Sequence, residues 1–160
     1  MRGGTAFWAM VAVLAALHFL LHLGLGLGRE APDLLTVALL VGARTGGTGV
    51  GAGLGFFFGL LEDAFSVLAF GANTVAMTLV GALGARTRDL FVGDSALFVL
   101  GYVAAGKWLR DLVYWIVAGE TVREPFVQAI LVDAFLAAPY AGAVGAAFVL
   151  AAGGLREARA

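Results

Sequence analysis

Apolar residues fill most of the chain in long runs, which short polar or charged stretches separate. A helix needs about 20 apolar residues to cross the ~30 Å hydrocarbon core of a bilayer. The pattern predicts an all-α fold: one integral-membrane domain over residues 1–160, a polytopic bundle of six transmembrane helices. The predicted spans are approximately 5–27, 33–44, 46–61, 70–86, 94–118 and 125–152. The second is the shortest and covers little more than half of the bilayer at about 1.5 Å per residue.

Arginines are distributed unequally between the two sets of predicted loops. With a cytoplasmic N-terminus, six arginines lie inside and two lie outside, in agreement with the positive-inside rule. The inside set is Arg2, Arg44, Arg86, Arg88, Arg156 and Arg159, and the outside set is Arg29 and Arg123. We therefore predict a multi-pass protein with its N- and C-termini in the cytoplasm.

The composition agrees with a lipid environment. Hydrophobic residues make up 61% of the chain and charged residues 13%, whereas a soluble domain keeps about a quarter of its residues charged. The net charge of -1 gives no indication of nucleic acid binding. The chain has no cysteine, which excludes disulfides and thiolate metal sites. The lipid bilayer is thus the predicted surrounding.

Glycines recur every four residues along the third predicted span, at Gly47, Gly51, Gly55 and Gly59. This spacing leaves one helix face without side chains, so that a neighbouring helix can approach closely. Two interpretations stay open. The glycine face packs helices within the chain, or it is a partner-binding face for a helix of another protein.

Polar side chains within the predicted spans share the outer half of the membrane. An isolated charge in the bilayer core costs roughly 2.5–3.5 kcal/mol on insertion scales, so such groups normally face the bundle interior and pair. Arg110 and Asp133 have similar predicted depths and form the best candidate ion pair. The cluster indicates either an outward-facing pocket or a salt-bridge network that joins helices. Its members are His18, His22, Glu62, Asp63, Asn73, Lys107, Arg110, Asp111 and Asp133.

His18 and His22 lie four residues apart and share one helix face. Zinc would need at least one further ligand, and we expect hydrogen-bonded packing histidines without a metal. The chain shows neither a nucleophile beside a base nor a phosphate-binding motif. We therefore expect no enzyme and no cofactor.

Three short motifs in the central segment carry a family resemblance. Pro32-Asp33 precedes the short second span, a Gly-x-x-x-Gly-Leu-x-x-Asp pattern ends the third span at Asp63, and Gly71-Ala72-Asn73 begins the fourth. Over about residues 31–88 the chain resembles the MreD family of rod-shape-determining proteins. It departs from the family pattern in having Glu62 beside Asp63 and in the charge of its fifth span.

The resemblance implies a non-enzymatic scaffold of the elongasome, the machinery for side-wall peptidoglycan synthesis and cell shape, in the bacterial inner membrane. MreC would bind through its transmembrane helix and juxtamembrane segment, and RodA, its transpeptidase partner and MreB would act alongside. The implied fold is similar to the substrate-binding (S) subunits of energy-coupling-factor (ECF) transporters. Two alternatives stay open: a true substrate-binding subunit of an ECF-type vitamin transporter, and a structural membrane protein without a ligand.

Overall fold

The computed structural model describes residues 4–27, 31–66, 68–87 and 96–157, with only the helical backbone for 152–157. Six α-helices occur in this part of the chain: α1 Thr5–Phe19, α2 Leu34–Ala43, α3 Thr48–Asp63, α4 Ala72–Thr87, α5 Ala96–Val117 and α6 Ala134–Glu157. A π-helical segment extends α1 over Leu20–Gly24, and a second precedes α6 over Val127–Asp133. The described residues contain no strand, and the all-α fold is confirmed.

Helix α2 forms the centre of the bundle. All ten of its residues are buried, and it packs against each of the other five helices. Its sequence is apolar all round, as is typical of a helix without a solvent face. Ten residues rise only about 15 Å, and the backbone nitrogen of Leu35 bonds to His18, late in α1. Helix α2 therefore fills only part of the length of the bundle.

Glycines bring α3 and α4 into backbone contact. A Cβ atom at any of three α3 glycines would collide with main-chain atoms of α4. The facing pairs are Gly51 with Gly81, Gly55 with Met77, and Gly59 with Thr74. Small residues at such positions allow helix axes to approach closely.

This packing corrects the partner-binding interpretation of the glycine face. Gly51, Gly55 and Gly59 are buried against α4 of the same chain, so a helix of another protein cannot pack there without displacing α4. Gly47 lies just before α3, and a Cβ there would have no neighbour within 4 Å. The alternative of a packing face within the chain agrees with the structure.

The first and last helices of the bundle both pack against the central helix α2. Helix α6 packs against α5 and α2, and Gly142 approaches the backbone oxygen of Leu100. Helix α1 packs against α2, and its buried residues Phe7, Val11 and Leu14 belong to the main hydrophobic core.

Two helices of the described residues are long and apolar enough to cross a membrane, Thr5–Gly24 and Val127–Ala151. Helices α2, α3 and α4 have 10, 16 and 16 residues, which is short for a full span. Helix α5 has 22 residues but carries Lys107, Arg110 and Asp111. A bundle of six complete spans therefore stays a prediction.

The orientation from the arginine bias also stays a prediction. Arg2, Arg29, Arg88 and Arg159 lie outside the described residues, as does the side chain of Arg156.

Candidate functional site

Asp33 caps the buried N-terminus of α2. Its carboxylate accepts hydrogen bonds from the Thr36 backbone nitrogen at 3.0 Å and from the Thr36 hydroxyl at 2.7 Å. The first N–H groups of a helix have no partner within it, so a buried helix start requires such acceptors. Pro32 has no backbone N–H group, so a helix that began before it would lack a hydrogen bond at this position. The Pro-Asp pair therefore sets the start of α2.

Arg110 of α5 joins three other helices at this point. Its guanidinium lies 3.0 Å from Asp33 Oδ2 and 2.6 Å from Glu62 Oε1, and it donates to Asn73 Oδ1 at 2.7 Å. The residue is 8% exposed. Buried charges are tolerated where they are paired and hydrogen-bonded, and these contacts meet that condition for most of the guanidinium.

Lys107 and Asp111 complete the cluster one helical turn apart on α5. Lys107 Nζ contacts both oxygens of Asp111 at 2.6 Å and lies 3.4 Å from Asp33 Oδ2. Asp111 Oδ1 also lies 3.5 Å from Arg110. We call the group of Asp33, Glu62, Asn73, Lys107, Arg110 and Asp111 the Arg110 network.

Asp63 has a separate role at the start of α4. Its carboxylate, at 1% exposure, accepts bonds from the backbone nitrogens of Asn73 and Thr74 at 3.1 and 2.9 Å. It also accepts from the Thr74 hydroxyl at 2.6 Å. Gly71 has a φ of 94°, a conformation that side chains disfavour, and this turn directs the chain into α4. The end of α3 thus caps the beginning of its partner helix.

The two histidines lie beside the network on α1. His18 Nδ1 accepts a hydrogen bond from the Leu35 backbone nitrogen at 3.3 Å, which places its ring proton on the other nitrogen. His22 stacks on His18 with ring centroids 4.0 Å apart and donates to the His18 carbonyl at 3.0 Å. Among the described residues no three histidine, aspartate or glutamate side chains are grouped as a metal ion would require.

Asp133 lies apart from Arg110, which corrects the predicted Arg110–Asp133 ion pair. Asp133 ends the π-helical segment and accepts a hydrogen bond from Gln128 of that segment at 2.8 Å. Arg110 instead points toward α2, α3 and α4. The two residues have similar depths, but depth does not specify the direction in which a side chain leaves its helix.

Two adjoining cavities lie against the network. The smaller has a volume of about 410 Å³ and the larger about 1140 Å³. Both are lined by His18, His22, Glu62, Arg110 and Asp111. The larger also reaches Asp33, Asp133 and the first turns of α6. The shortness of α2 explains this space, because α2 begins only after Asp33, whereas α1, α5 and the π-helical segment before α6 extend beyond this level.

The structure thus brings all nine predicted polar residues to one end of the bundle, around the cavities and the start of α4. Asp133 lines the larger cavity but does not pair with Arg110. Sequence reasoning missed Asp33 as a site residue. The signal was present, because an aspartate directly before a wholly apolar helix must lie at a buried helix start.

Comparisons of the chain with protein-family models, with curated proteins and with solved structures find no match.

Proposed function

We propose that the chain is a multi-pass protein of the bacterial inner membrane that acts as an MreD-like, non-enzymatic scaffold of the elongasome. In this role it binds MreC and helps to control side-wall peptidoglycan synthesis and cell shape. Both termini lie in the cytoplasm, and the cavity end of the bundle faces the periplasm.

One observation carries the proposal. Asp33, Asp63 and Asn73 belong to the three motifs on which the resemblance rests, and they meet in space although 40 residues of sequence separate the first from the last. Arg110 bonds to two of them, and Asp63 bonds to the backbone of Asn73. The motifs therefore work as one unit that fixes the starts of α2 and α4.

The outer surface supports placement in a bilayer. Large apolar side chains are exposed on several helices rather than on one patch, including Phe57 on α3, Leu97 on α5 and Phe135 on α6. Soluble monomers rarely expose large apolar surfaces of this kind. In a bilayer, these side chains contact the lipid acyl chains and need no protein partner to cover them.

The partner surface differs from the one first expected. With the glycine face of α3 occupied by α4, the MreC transmembrane helix must pack on another side of the bundle. The juxtamembrane segment of MreC would then bind at the charged cavity end of the bundle.

Copurification tests the proposal. The tagged chain is coexpressed with MreC, and in parallel it replaces MreD in a rod-shaped bacterium. We expect MreC to be retained at matched expression and the rod shape to be restored. Arg110→Gln should reduce both MreC retention and the restoration of the rod shape, because it removes the side chain that joins the motif residues. Glu120→Gln in the exposed loop should leave both unchanged. Absence of MreC retention by the unaltered chain would refute the scaffold function.

The cavity of about 1140 Å³ favours a second candidate, the substrate-binding subunit of an ECF-type vitamin transporter. Retention of the transporter's ATPase module and coupling protein in place of MreC, in the same coexpression format, would identify this alternative.

A further inference from the structure

The link between α3 and α4 differs in composition from the other links between helices. It comprises residues 64–71, and it is the only one of the five links whose sequence has no charged residue. Three large apolar side chains in its described part are exposed: Phe65 at 61%, Leu68 at 80% and Phe70 at 68%. An exposed apolar patch marks a surface that a partner or a membrane covers.

Other side chains of the link hold it against the protein. Ala69 is buried together with Ala72, the first residue of α4, and with Ala118 at the start of the link between α5 and α6. The ring of Phe65 also lies 5.6 Å from that of Phe19 on α1. The small side chains therefore face the protein and the large apolar ones face away from it, so the fold itself produces the exposed patch.

The patch continues an apolar surface of the two adjoining helices. On α4, Val75, Leu79 and Leu83 recur every four residues, which places them on one face, and they are 42%, 47% and 46% exposed. On α3, Phe56 and Phe57 are more than half exposed. The proposed function places these helix surfaces against lipid, and the link extends the same surface to the end of the helix pair.

The lengths of α3 and α4 set the depth of the link. Each helix has 16 residues and rises about 24 Å, whereas the hydrocarbon core is ~30 Å thick. If the other ends of both helices lie at the cytoplasmic boundary, the link lies about 6 Å or more inside the outer boundary. Local thinning of the bilayer can accommodate a short span. An uncharged apolar link needs no thinning, because its side chains can lie among acyl chains.

Backbone hydrogen bonds at both ends of the link suit this depth. Within hydrocarbon, backbone N–H and C=O groups must find partners in the protein, because water is absent. The backbone nitrogens of Phe65 and Ser66 donate to the carbonyls of Glu62 and Asp63 at 3.1 and 2.9 Å. Two early N–H groups of α4 donate to the Asp63 carboxylate. The chain thus leaves α3 and enters α4 with these N–H groups already bonded.

We propose that the link between α3 and α4 is a lipid-binding surface embedded in the outer leaflet, with Phe65, Leu68 and Phe70 among the acyl chains. The charged link between α5 and α6 reaches the water on the same side of the membrane. The inference rests on the proposed placement of the chain in a bilayer, and it is independent of MreC binding.

Spin labels on single cysteines measure the depth of the link. The full chain has no cysteine, so Leu68→Cys, Phe57→Cys and Thr121→Cys each carry one nitroxide in vesicles of phosphatidylethanolamine and phosphatidylglycerol. Oxygen concentrates in hydrocarbon and nickel ethylenediaminediacetate stays in water, so the ratio of their collision rates with the label reports depth. We expect the ratio at Leu68 to be similar to that at Phe57 and about ten-fold above that at Thr121, because only the first two positions lie inside the hydrocarbon core.

The label on α3 separates this inference from the proposed function. A lipid-like ratio at Phe57 with a water-like ratio at Leu68 would overturn the embedded link and leave the bilayer placement intact. Water-like ratios at both positions would refute the bilayer placement and the embedded link together. A water-like ratio at Leu68 that falls for both reagents when MreC is added would assign the patch to a protein partner, which also overturns the inference.

A charge substitution provides a second measurement. In water, an 80% exposed leucine has little packing to lose, so Leu68→Asp would be nearly neutral there. Among acyl chains a carboxylate is costly, and we expect Leu68→Asp to lower the melting temperature in vesicles by about 5 °C or more. The matched control Thr121→Asp, at an exposed position of the charged link, should leave it unchanged. An unchanged melting temperature for Leu68→Asp would overturn the inference. If this variant does not insert into the membrane, the uncharged cysteine variant decides alone.

Discussion

Arg110 holds together helices that are far apart in sequence. It contacts Asp33 before α2, Glu62 at the end of α3 and Asn73 at the start of α4. Removing one member of such a buried group leaves charges without partners, and this commonly costs 3–5 kcal/mol. The network is therefore a point where a single substitution affects the relative positions of four helices.

A double-mutant cycle checks the pairing. Arg110→Gln and Asp33→Asn should each destabilise the protein, and their effects should be non-additive by roughly 0.5–3 kcal/mol, since the residues share a contact. Arg110→Gln and Asp133→Asn should be additive, because Asp133 bonds to Gln128 instead. Unfolding in detergent measures both cycles, and a larger coupling with Asp133 than with Asp33 would contradict the structure.

Asp63 and Glu62 are neighbours with unequal roles. Asp63 accepts three hydrogen bonds at the start of α4, whereas Glu62 is half-buried and bonds to Arg110 through one oxygen. Asp63→Asn removes an acceptor from buried N–H and O–H donors, so we expect a loss of about 1–3 kcal/mol. Glu62→Gln keeps an acceptor oxygen toward Arg110, whose charge stays paired with Asp33 and Asp111, and it should therefore cost less. Thermal unfolding of the two variants ranks them, and equal melting temperatures would contradict this assignment.

Residue types predicted the members of the polar cluster except Asp33, but they did not predict which members pair. Charged side chains in apolar helices must face inward and meet, so their common location followed from depth alone. The choice of Asp33 over Asp133 as a partner of Arg110 depends on the start of α2 and on the π-helical segment before α6. Neither the start of α2 nor the π-helical segment can be predicted from the spacing of charged residues along the sequence.

At the scale of elements, the contact between α3 and α4 depends on which side of α3 each glycine faces. Gly55 lies against the backbone of Met77, whereas a Cβ at Gly53 on the same helix would have no neighbour within 4 Å. Gly55→Ala should force the helices apart and cost about 1–3 kcal/mol, as overpacking does. Gly53→Ala should be neutral, or stabilising by up to about 1 kcal/mol through helix propensity.

Thermal unfolding of the two alanine variants provides the measurement, with MreC copurification as a second readout at matched expression. Equal stability of both variants would mean that α3 and α4 are not in backbone contact. If the Gly55→Ala protein were fully stable but no longer copurified with MreC, the glycine face would be a binding face for MreC after all.

The six helices could be placed from the sequence because apolar runs and charged breaks alternate regularly. The predicted limits agree with the observed helices to within a few residues, and the second span was expected to be short. The sequence did not indicate that α2 would be the buried centre of the bundle, since an apolar helix in lipid and one in a protein core have the same composition.

For the whole molecule, the orientation in the membrane is the most direct test. The chain has no cysteine, so single cysteines report on their surroundings without interference. A cysteine at the exposed Thr121, between α5 and α6, should react with an impermeant reagent in intact cells. A cysteine at Thr87, the last residue of α4, should react only after the cells are opened. The reverse pattern would refute the proposed topology.

The half-length of α2 has an electrical consequence in a bilayer. In the proposed membrane orientation, water that enters the cavity would reach the level of Asp33, so that the insulating layer along α2 would be about 15 Å thick instead of ~30 Å. A membrane potential is worth roughly 2.3 kcal/mol per elementary charge per 100 mV. Across half the thickness the same potential would give about twice the field, and the carboxylates and cations of the Arg110 network would lie at the edge of that region.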